Sequence, residues 1–261
     1  MAGDREFVNY HVEDRIAVVT LNRPPVNALN SQLETEIEET FDEIGARDET
    51  RVVIMTGGLS KAFIAGADIK MMFHKTPEGA FEMSRATQRL LLKIENFNRV
   101  VIAAVNGLAL GGGCEVALAC DIRVADASAI FGFPEVSLGL IPGAGGTQRL
   151  TRLVGFGKAI ELIATGDPVD ADEAKRIGLV EKVAPKGEAV AEARKLAERI
   201  LARGPIAVAS AKKAIMEGMD MAFADGLKNE SELFAALFKT RDVKEGIGAF
   251  LEKRKPNFTG T

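Results

Sequence analysis

The chain has little of the residues that build metal centres and disulfide frameworks. Its 261 residues include two cysteines, Cys114 and Cys120, and two histidines, His11 and His74. Two close cysteines with no second pair read as reduced thiols in a reducing, cytoplasmic setting. Neither histidine belongs to an HxxxH or Cys/His cluster, so no metal is expected. No run approaches the roughly 18 apolar residues needed to span a bilayer. The apolar stretch 110–119 is short and glycine-rich, and Met1-Ala2-Gly3-Asp4-Arg5-Glu6 has no apolar signal core. Basic residues are not in excess. Lys and Arg number 33 against 37 Asp and Glu, a formal charge of −4, so nothing draws the chain generally to nucleic acid or an anionic membrane. A local basic patch remains compatible with phosphate binding.

Familiar signatures are missing too. Gly143-Ala144-Gly145-Gly146-Thr147-Gln148 has glutamine where a dinucleotide fingerprint needs its last glycine. Gly155-Phe156-Gly157-Lys158-Ala159 lacks the upstream glycine and the Ser/Thr of a P-loop. There is no GxSxG elbow, and the histidines have no triad context. What is present is a globular composition, 47% hydrophobic and 27% charged, which argues against disorder. The length allows one large domain or two smaller ones.

Residues 7–11 and 16–21 read as a hairpin about Glu13-Asp14. Ser31-x-x-Glu34 has the form of a capping box, and Leu33, Ile37, Phe41 and Ile44 follow on one helical stripe. The acidic run 34–43 reads as the solvated face of that helix. Residues 51–56 read as a buried strand, 80–97 as a helix with Leu90, Leu91 and Ile94 toward the core, and 100–105 as a strand broken by Gly107. This alternation predicts an α/β fold with strands buried by helices. Residues 112–119 read as the next helix, 121–125 and 129–131 as short strands, 145–153 and 158–165 as helices, and 179–183 as a late strand. After 187 only helical segments follow: 187–202, 206–218, 221–238 and 242–252. That shift predicts a core over residues 1–200 and a helical module over 201–261.

Three segments carry the chemistry. Ala62-Phe63-Ile64-Ala65-Gly66-Ala67-Asp68-Ile69-Lys70 is a small-residue loop that reads as opening into a helix near Asp68, where N–H groups are free. An ordinary strand-to-helix loop is the plainer alternative. Gly111-Gly112-Gly113-Cys114-Glu115 places three glycines at a helix start, entropically unfavourable unless something must approach the backbone. Gly112 and Glu115 share a helix face, so one N–H and one carboxylate would look into the same cleft. The alternative is close helix packing with Glu115 solvated. Glu135, in Phe131-Gly132-Phe133-Pro134-Glu135, lies in an apolar stretch that raises a carboxyl pKa and suits a proton donor. Otherwise it is a surface glutamate beside a turn. Two carboxylates in a water-poor site can divide acid and base roles.

Together these segments resemble the enoyl-CoA hydratase (crotonase) superfamily, in its hydratase branch. The resemblance runs from about residue 14 to 258. It rests on Ala65-Gly66-Ala67-Asp68-Ile69-Lys70, residues 103–115, residues 131–135, the stretch IPGAGGTQRLTR at 141–152, and the tail Phe250-Leu251-Glu252-Lys253-Arg254-Lys255-Pro256-Asn257-Phe258. It implies a spiral core of repeated ββα units and an all-helical C-terminal region that builds homotrimers, usually paired into hexamers. It implies an oxyanion hole from the Ala67 and Gly112 N–H groups, water activation by Glu115, protonation of C2 by Glu135, and a supporting backbone donor at Gly143 near Glu135. Contacts to the acyl-CoA thioester would come from Ala65, Asp68, Ile69, Lys70, Phe234, Phe250 and Lys253, the last reaching a neighbouring subunit's CoA phosphates. CoA belongs to the substrate, so no separate cofactor is implied. The implied reaction is reversible addition of water to a trans-2-enoyl-CoA, as in fatty-acid β-oxidation. Retention of both glutamates favours hydration over the isomerase and hydrolase relatives. A Δ3,Δ2-enoyl-CoA isomerase, or a hydratase dedicated to a branched or aromatic acyl-CoA, is the nearest alternative. RNA binding, known in one branch of the superfamily, uses a lysine-rich first helix. Here Glu34, Glu36, Glu38, Glu39, Asp42 and Glu43 make that helix acidic and repel phosphate.

Overall fold

A computed structural model of the protein describes residues 5–58 and 61–261. In chain order the strands are β1 (Val8–Glu13), β2 (Ile16–Leu21), β3 (Val52–Thr56), β4 (Ala62–Ala65), β5 (Val100–Val105), β6 (Leu108–Leu110), β7 (Ile122–Asp126), β8 (Ile130–Gly132), β9 (Val169–Asp170) and β10 (Lys182–Ala184). The helices are α1 (Ser31–Gly45), α2 (Pro77–Glu95), α3 (Gly112–Ala119), α4 (Gly146–Val154), α5 (Phe156–Thr165), α6 (Ala171–Arg176), α7 (Ala189–Leu201), α8 (Pro205–Gly218), α9 (Phe223–Leu237) and α10 (Arg241–Leu251). The chain divides into two compact units. One holds the residues up to Phe97 together with Val101–Arg194, the other Asn98–Val100 with Lys195–Thr261.

The first unit contains two sheets. The hairpin forms, but its first strand runs on to Glu13 and the two-residue turn is Asp14-Arg15, both at positive φ, one residue beyond the Glu13-Asp14 expected. Strand order in the six-stranded sheet is β1-β2-β3-β5-β7-β10, and β2–β3, β5–β7 and β7–β10 pair in parallel. β3 and β5 are buried along their whole length, which is why their sequences are apolar throughout except for Thr56 at the end of β3. The second sheet runs β4-β6-β8-β9, with β4, β6 and β8 parallel. β4 and β6 are missing from the sequence reading, which has 62–70 as loop and ends the strand at Gly107. Runs of three or four residues are too short to show a periodicity. With them in place, β1-β2-α1, β3-β4-α2, β5-β6-α3 and β7-β8-α4 are successive ββα units. Asn27, fully buried, ties them where they meet: its Nδ2 reaches the carbonyls of Gly57, Ala62 and Phe63 at 3.2, 3.1 and 3.1 Å.

Helix α1 corrects two readings. Leu33, Ile37, Phe41 and Ile44 are buried on one stripe, as read. The cap, however, is Asn30, whose Oδ1 accepts the Leu33 N–H at 2.9 Å, while Glu34 accepts from Thr87 Oγ1 at 2.7 Å. Nor is the acidic run simply a solvated face. Glu36 is buried and accepts the N–H groups of Phe7 and Val8 at 2.7 and 3.0 Å, satisfying donors at the start of β1. Lys93 of α2 reaches Glu38 and Asp42, and Arg5 pairs with Glu43.

The second unit is helical. Among its described residues, α8 and α9 bury no side chain. Thr240 caps α10, and the chain end folds back on that helix: Asp242 accepts from the N–H groups of Thr259 and Gly260 at 2.8 and 2.9 Å. Arg254 clamps Glu245 with two bonds of 2.6 and 2.9 Å. Phe223, Phe234, Phe238 and Phe250 are all exposed.

Candidate active site

The short parallel strands are what build the site. Ala65 of β4 is level with Leu110 of β6, and Leu110 with Gly132 of β8. Three loops therefore leave the carboxyl ends of three neighbouring strands in step, the usual place for a ligand crevice in parallel sheets. Two residues beyond the first two strand ends stand Ala67 and Gly112, and three beyond the third stands Glu135.

Ala67 is bridged to Leu29, but the bonds use its neighbours: Leu29 N–H donates to the Gly66 carbonyl at 2.9 Å and Asp68 N–H to the Leu29 carbonyl at 2.7 Å. Its own N–H has no acceptor among the described residues. Arg23 pins the loop by donating to Asp68 Oδ2 at 2.9 Å and the Ala28 carbonyl at 2.7 Å. The helix expected near Asp68 is only one 3-10 turn, Ile69–Met71. The true helix waits for Pro77 at its first position and the Thr76 cap. Ala65, Asp68, Ile69 and Lys70 thus share one strand end and turn, with Ile69 and Lys70 exposed.

Helix α3 begins at Gly112 as expected, so the Gly112 N–H is one of the helix's unbonded first donors. A methyl group built on Gly112 would lie 4.0 Å from Ala67 N and 4.0 Å from Glu115 Oε2. The two N–H groups and this carboxylate therefore border one space. At Gly113 the same construction comes 1.9 Å from the Ile64 carbonyl oxygen. The glycines differ in surroundings: Gly112 opens onto the space beside Ala67 N and Glu115, and Gly113 allows close packing on β4.

Glu115 is not solvated: it is 3% exposed. Its Oε1 accepts the N–H groups of Ala144 and Gly146 at 2.7 and 2.8 Å. Burial raises its pKa, opposed by those two bonds and the nearby Arg149 charge. Glu135 sits on the 3-10 turn Pro134–Leu138, half-buried. Its Oε2 is buried and has no hydrogen-bond partner among the described residues, and its Oε1 lies 2.8 Å from where a Gly111 methyl would stand. Burial pushes the Glu135 carboxyl up to about 7; its own backbone N–H opposes this and the Glu115 charge adds to it.

Gly143 is held through its carbonyl, which leaves its N–H, the donor expected near Glu135, without an acceptor among the described residues. Its carbonyl accepts from Ser84 Oγ at 2.6 Å and Gln88 Nε2 at 2.9 Å. The loop's donors to a glutamate are Ala144 and Gly146, and that glutamate is Glu115. The sequence reading missed both, although a glycine-rich run entering a helix is the signal for free N–H groups. Phe234 on α9, Phe250 on α10 and Lys253 just beyond it lie in the helical unit, all exposed. Cys114 and Cys120 are free and buried. Among the described residues no group of three or more His, Cys, Asp or Glu could hold a metal ion, and no helix is long and apolar enough to cross a membrane.

The arrangement is a pair of unbonded N–H donors beside two carboxylates, Glu115 buried and hydrogen-bonded, Glu135 half-buried with its pKa raised to about 7. It can hold an oxygen that gains negative charge and move a proton on either side of it. The sequence model of the enoyl-CoA hydratase/isomerase family matches residues 11–261. A crotonyl-CoA hydratase of Syntrophomonas wolfei is 47% identical over 94% of this chain and 95% of its own length. A short-chain-enoyl-CoA hydratase of Clostridium acetobutylicum is 46% identical over 93% of this chain and 94% of its own. The crystal structure of an enoyl-CoA hydratase from Bacillus anthracis superposes with a TM-score of 0.94 at 41% identity, covering 98% of this chain and 100% of that one.

Proposed function

The chain belongs to the enoyl-CoA hydratase/isomerase family, and on that premise we propose that, as an enoyl-CoA hydratase, it adds water reversibly to a trans-2-enoyl-CoA through the Glu115 and Glu135 pair. The observation that carries this is the meeting of a buried carboxylate, Glu115, and a half-buried one, Glu135, with the free N–H groups of Ala67 and Gly112. The thioester carbonyl lies between those donors. As water adds to C3, negative charge moves onto the carbonyl oxygen, where one such donor is worth ~3 kcal/mol. Ionised Glu115 takes a proton from the water, the oxygen bonds to C3, and protonated Glu135 delivers a proton to C2. The product is the 3-hydroxyacyl-CoA, and the reverse path removes water by the same groups. No cofactor enters, because CoA is the handle of the substrate. The setting is cytoplasmic and of the β-oxidation type.

Crotonyl-CoA loses its conjugated absorbance on hydration, and we expect the protein to consume it. Failure with crotonyl-CoA and with longer enoyl-CoAs would reject the assignment, while the rate order across the panel gives the acyl preference. An isomerase would move a double bond without adding water, so product analysis separates the two.

For the CoA handle, the phosphates need individual cationic side chains. Lys70 stands on the turn beside Ala67, and Lys253 lies in the basic tail Lys253-Arg254-Lys255. Arg254 is held by Glu245, which leaves Lys253 as the better candidate. Lys253→Ala should raise KM for acyl-CoA more than it lowers kcat, with a defect that shrinks at high salt. The exposed phenylalanines of the helical unit support assembly as a trimer or a dimer of trimers. A monomeric mass by light scattering would remove that part of the proposal.

A further inference from the structure

Helix α2 lies outside the reacting groups, yet one of its faces is tied to them. Ser84, Gln88 and Glu95 fall within roughly 40° of one another around the helix. Ser84 Oγ and Gln88 Nε2 donate to the Gly143 carbonyl at 2.6 and 2.9 Å, and Gln88 Nε2 also lies 3.2 Å from Ser84 Oγ. Glu95 holds Arg149 at 2.7 Å, and Arg149 Nη1 donates to the Ala144 carbonyl at 3.0 Å. Two consecutive carbonyls of the loop are therefore gripped from this face. The same loop aims the Ala144 and Gly146 N–H groups at Glu115 Oε1.

We propose that Ser84 and Gln88 are positioning residues for Glu115: by holding the Gly143 carbonyl they keep the Ala144 and Gly146 N–H groups trained on the carboxylate that handles the water. The inference rests on the hydratase reading above. Its physical content is that two N–H bonds stabilise the ionised form of a buried carboxylate only while their loop stays in place. Release of the Gly143 carbonyl lets Gly143-Ala144 turn, lengthens those bonds and favours the protonated, inactive Glu115. The other charged groups facing Glu115 are Arg149 from α4, already paired with Glu95 of α2, and Glu135 from the 3-10 turn. The adjacent Cys114 thiol is pushed up by burial and is neutral. None of these is changed by substituting Ser84 or Gln88.

The test is the pH profile of enoyl-CoA hydration by the full-length double variant Ser84→Ala/Gln88→Met, with each single variant alongside. Alanine favours helix and methionine keeps the length of glutamine without its donor, and both positions are only half-buried. We expect the acid limb of kcat to move to higher pH, so that activity at pH 6 falls ~3- to 10-fold more than activity at pH 9, with KM within about twofold. An unmoved acid limb overturns the inference, and so does a loss of kcat equal at every pH, which is what a merely structural role would give. If Gln88→Met or Ser84→Ala fails to fold, the remaining single variant reads the same limb. Wild-type protein that hydrates no enoyl-CoA sinks the hydratase reading and the inference with it; wild-type activity with an unmoved limb sinks the inference alone.

Discussion

Glu115→Gln and Glu135→Gln should each lower kcat by at least about a hundredfold, the lower end of what positioned acid–base groups contribute, while binding of CoA thioesters largely survives. Glutamine at 115 can still accept the Ala144 and Gly146 N–H groups on its oxygen, so the loop and fold are retained and the lost function is proton transfer. Near-wild-type turnover in either variant would show that its assigned role is wrong. The wild-type pH profile follows from the same environment. In the proposed roles Glu115 works ionised, so activity should be lost as pH falls through its raised pKa, and Glu135 works protonated, so activity should be lost as pH rises through about 7. The result is a narrow bell whose two limbs belong to the pair rather than to either residue. In Glu115→Gln the negative charge beside Glu135 is gone but its burial remains. The basic limb of the residual activity should therefore move slightly to lower pH. A basic limb that moves upward would mean that Glu115 does not raise the Glu135 pKa.

Much of this was legible in the chain because it depends on local pattern. Leu33, Ile37, Phe41 and Ile44 mark a helix face by spacing alone, and the bounds of α3 follow from three glycines and an apolar run. Glu115 and Glu135 stand out because a carboxylate in an apolar segment is out of place unless it is used. What escaped depends on contacts between distant segments. β4 and β6 are strands because they pair with each other, with Ala65 level with Leu110, and no property of either short run announces that. Glu36 looks like any surface glutamate until β1 brings the Phe7 and Val8 N–H groups to it. The loop at 143–146 was recognisable as rich in glycine, yet which of its N–H groups points inward depends on backbone angles such as φ +109° at Gly145, which residue type permits but does not specify. The Ala144 and Gly146 N–H groups, one and three residues beyond Gly143, are the ones that meet Glu115.

Adjacent glycines should fail in different ways. A methyl on Gly112 would stand 2.9 Å from Leu29 Cδ1, the movable end of a side chain, and 4.0 Å from both Ala67 N and Glu115 Oε2. The helix tolerates it, since alanine is the better helix former. What the methyl occupies is the space where a thioester oxygen would have to approach two N–H groups. Gly112→Ala should therefore leave a folded protein with a melting temperature near wild type. Its kcat/KM should fall by ~10²- to 10³-fold, the scale of losing an oxyanion donor. A methyl on Gly113 would come 1.9 Å from the Ile64 carbonyl oxygen and 2.8 Å from Ile64 Cβ. Neither is a flexible side-chain end, so α3 would have to lift away from β4, opening the packing beneath Glu115. Overpacking a tight core contact costs about 1–3 kcal/mol and sometimes more, so Gly113→Ala should lower the melting temperature markedly or prevent soluble expression. Circular dichroism melts and the crotonyl-CoA assay on both variants decide the matter. If Gly112→Ala hydrates crotonyl-CoA normally, the carbonyl does not bind between Ala67 and Gly112, and the site must hold its substrate elsewhere. If Gly113→Ala melts like the wild type, the close seating of α3 on β4 is not what holds Glu115 in place.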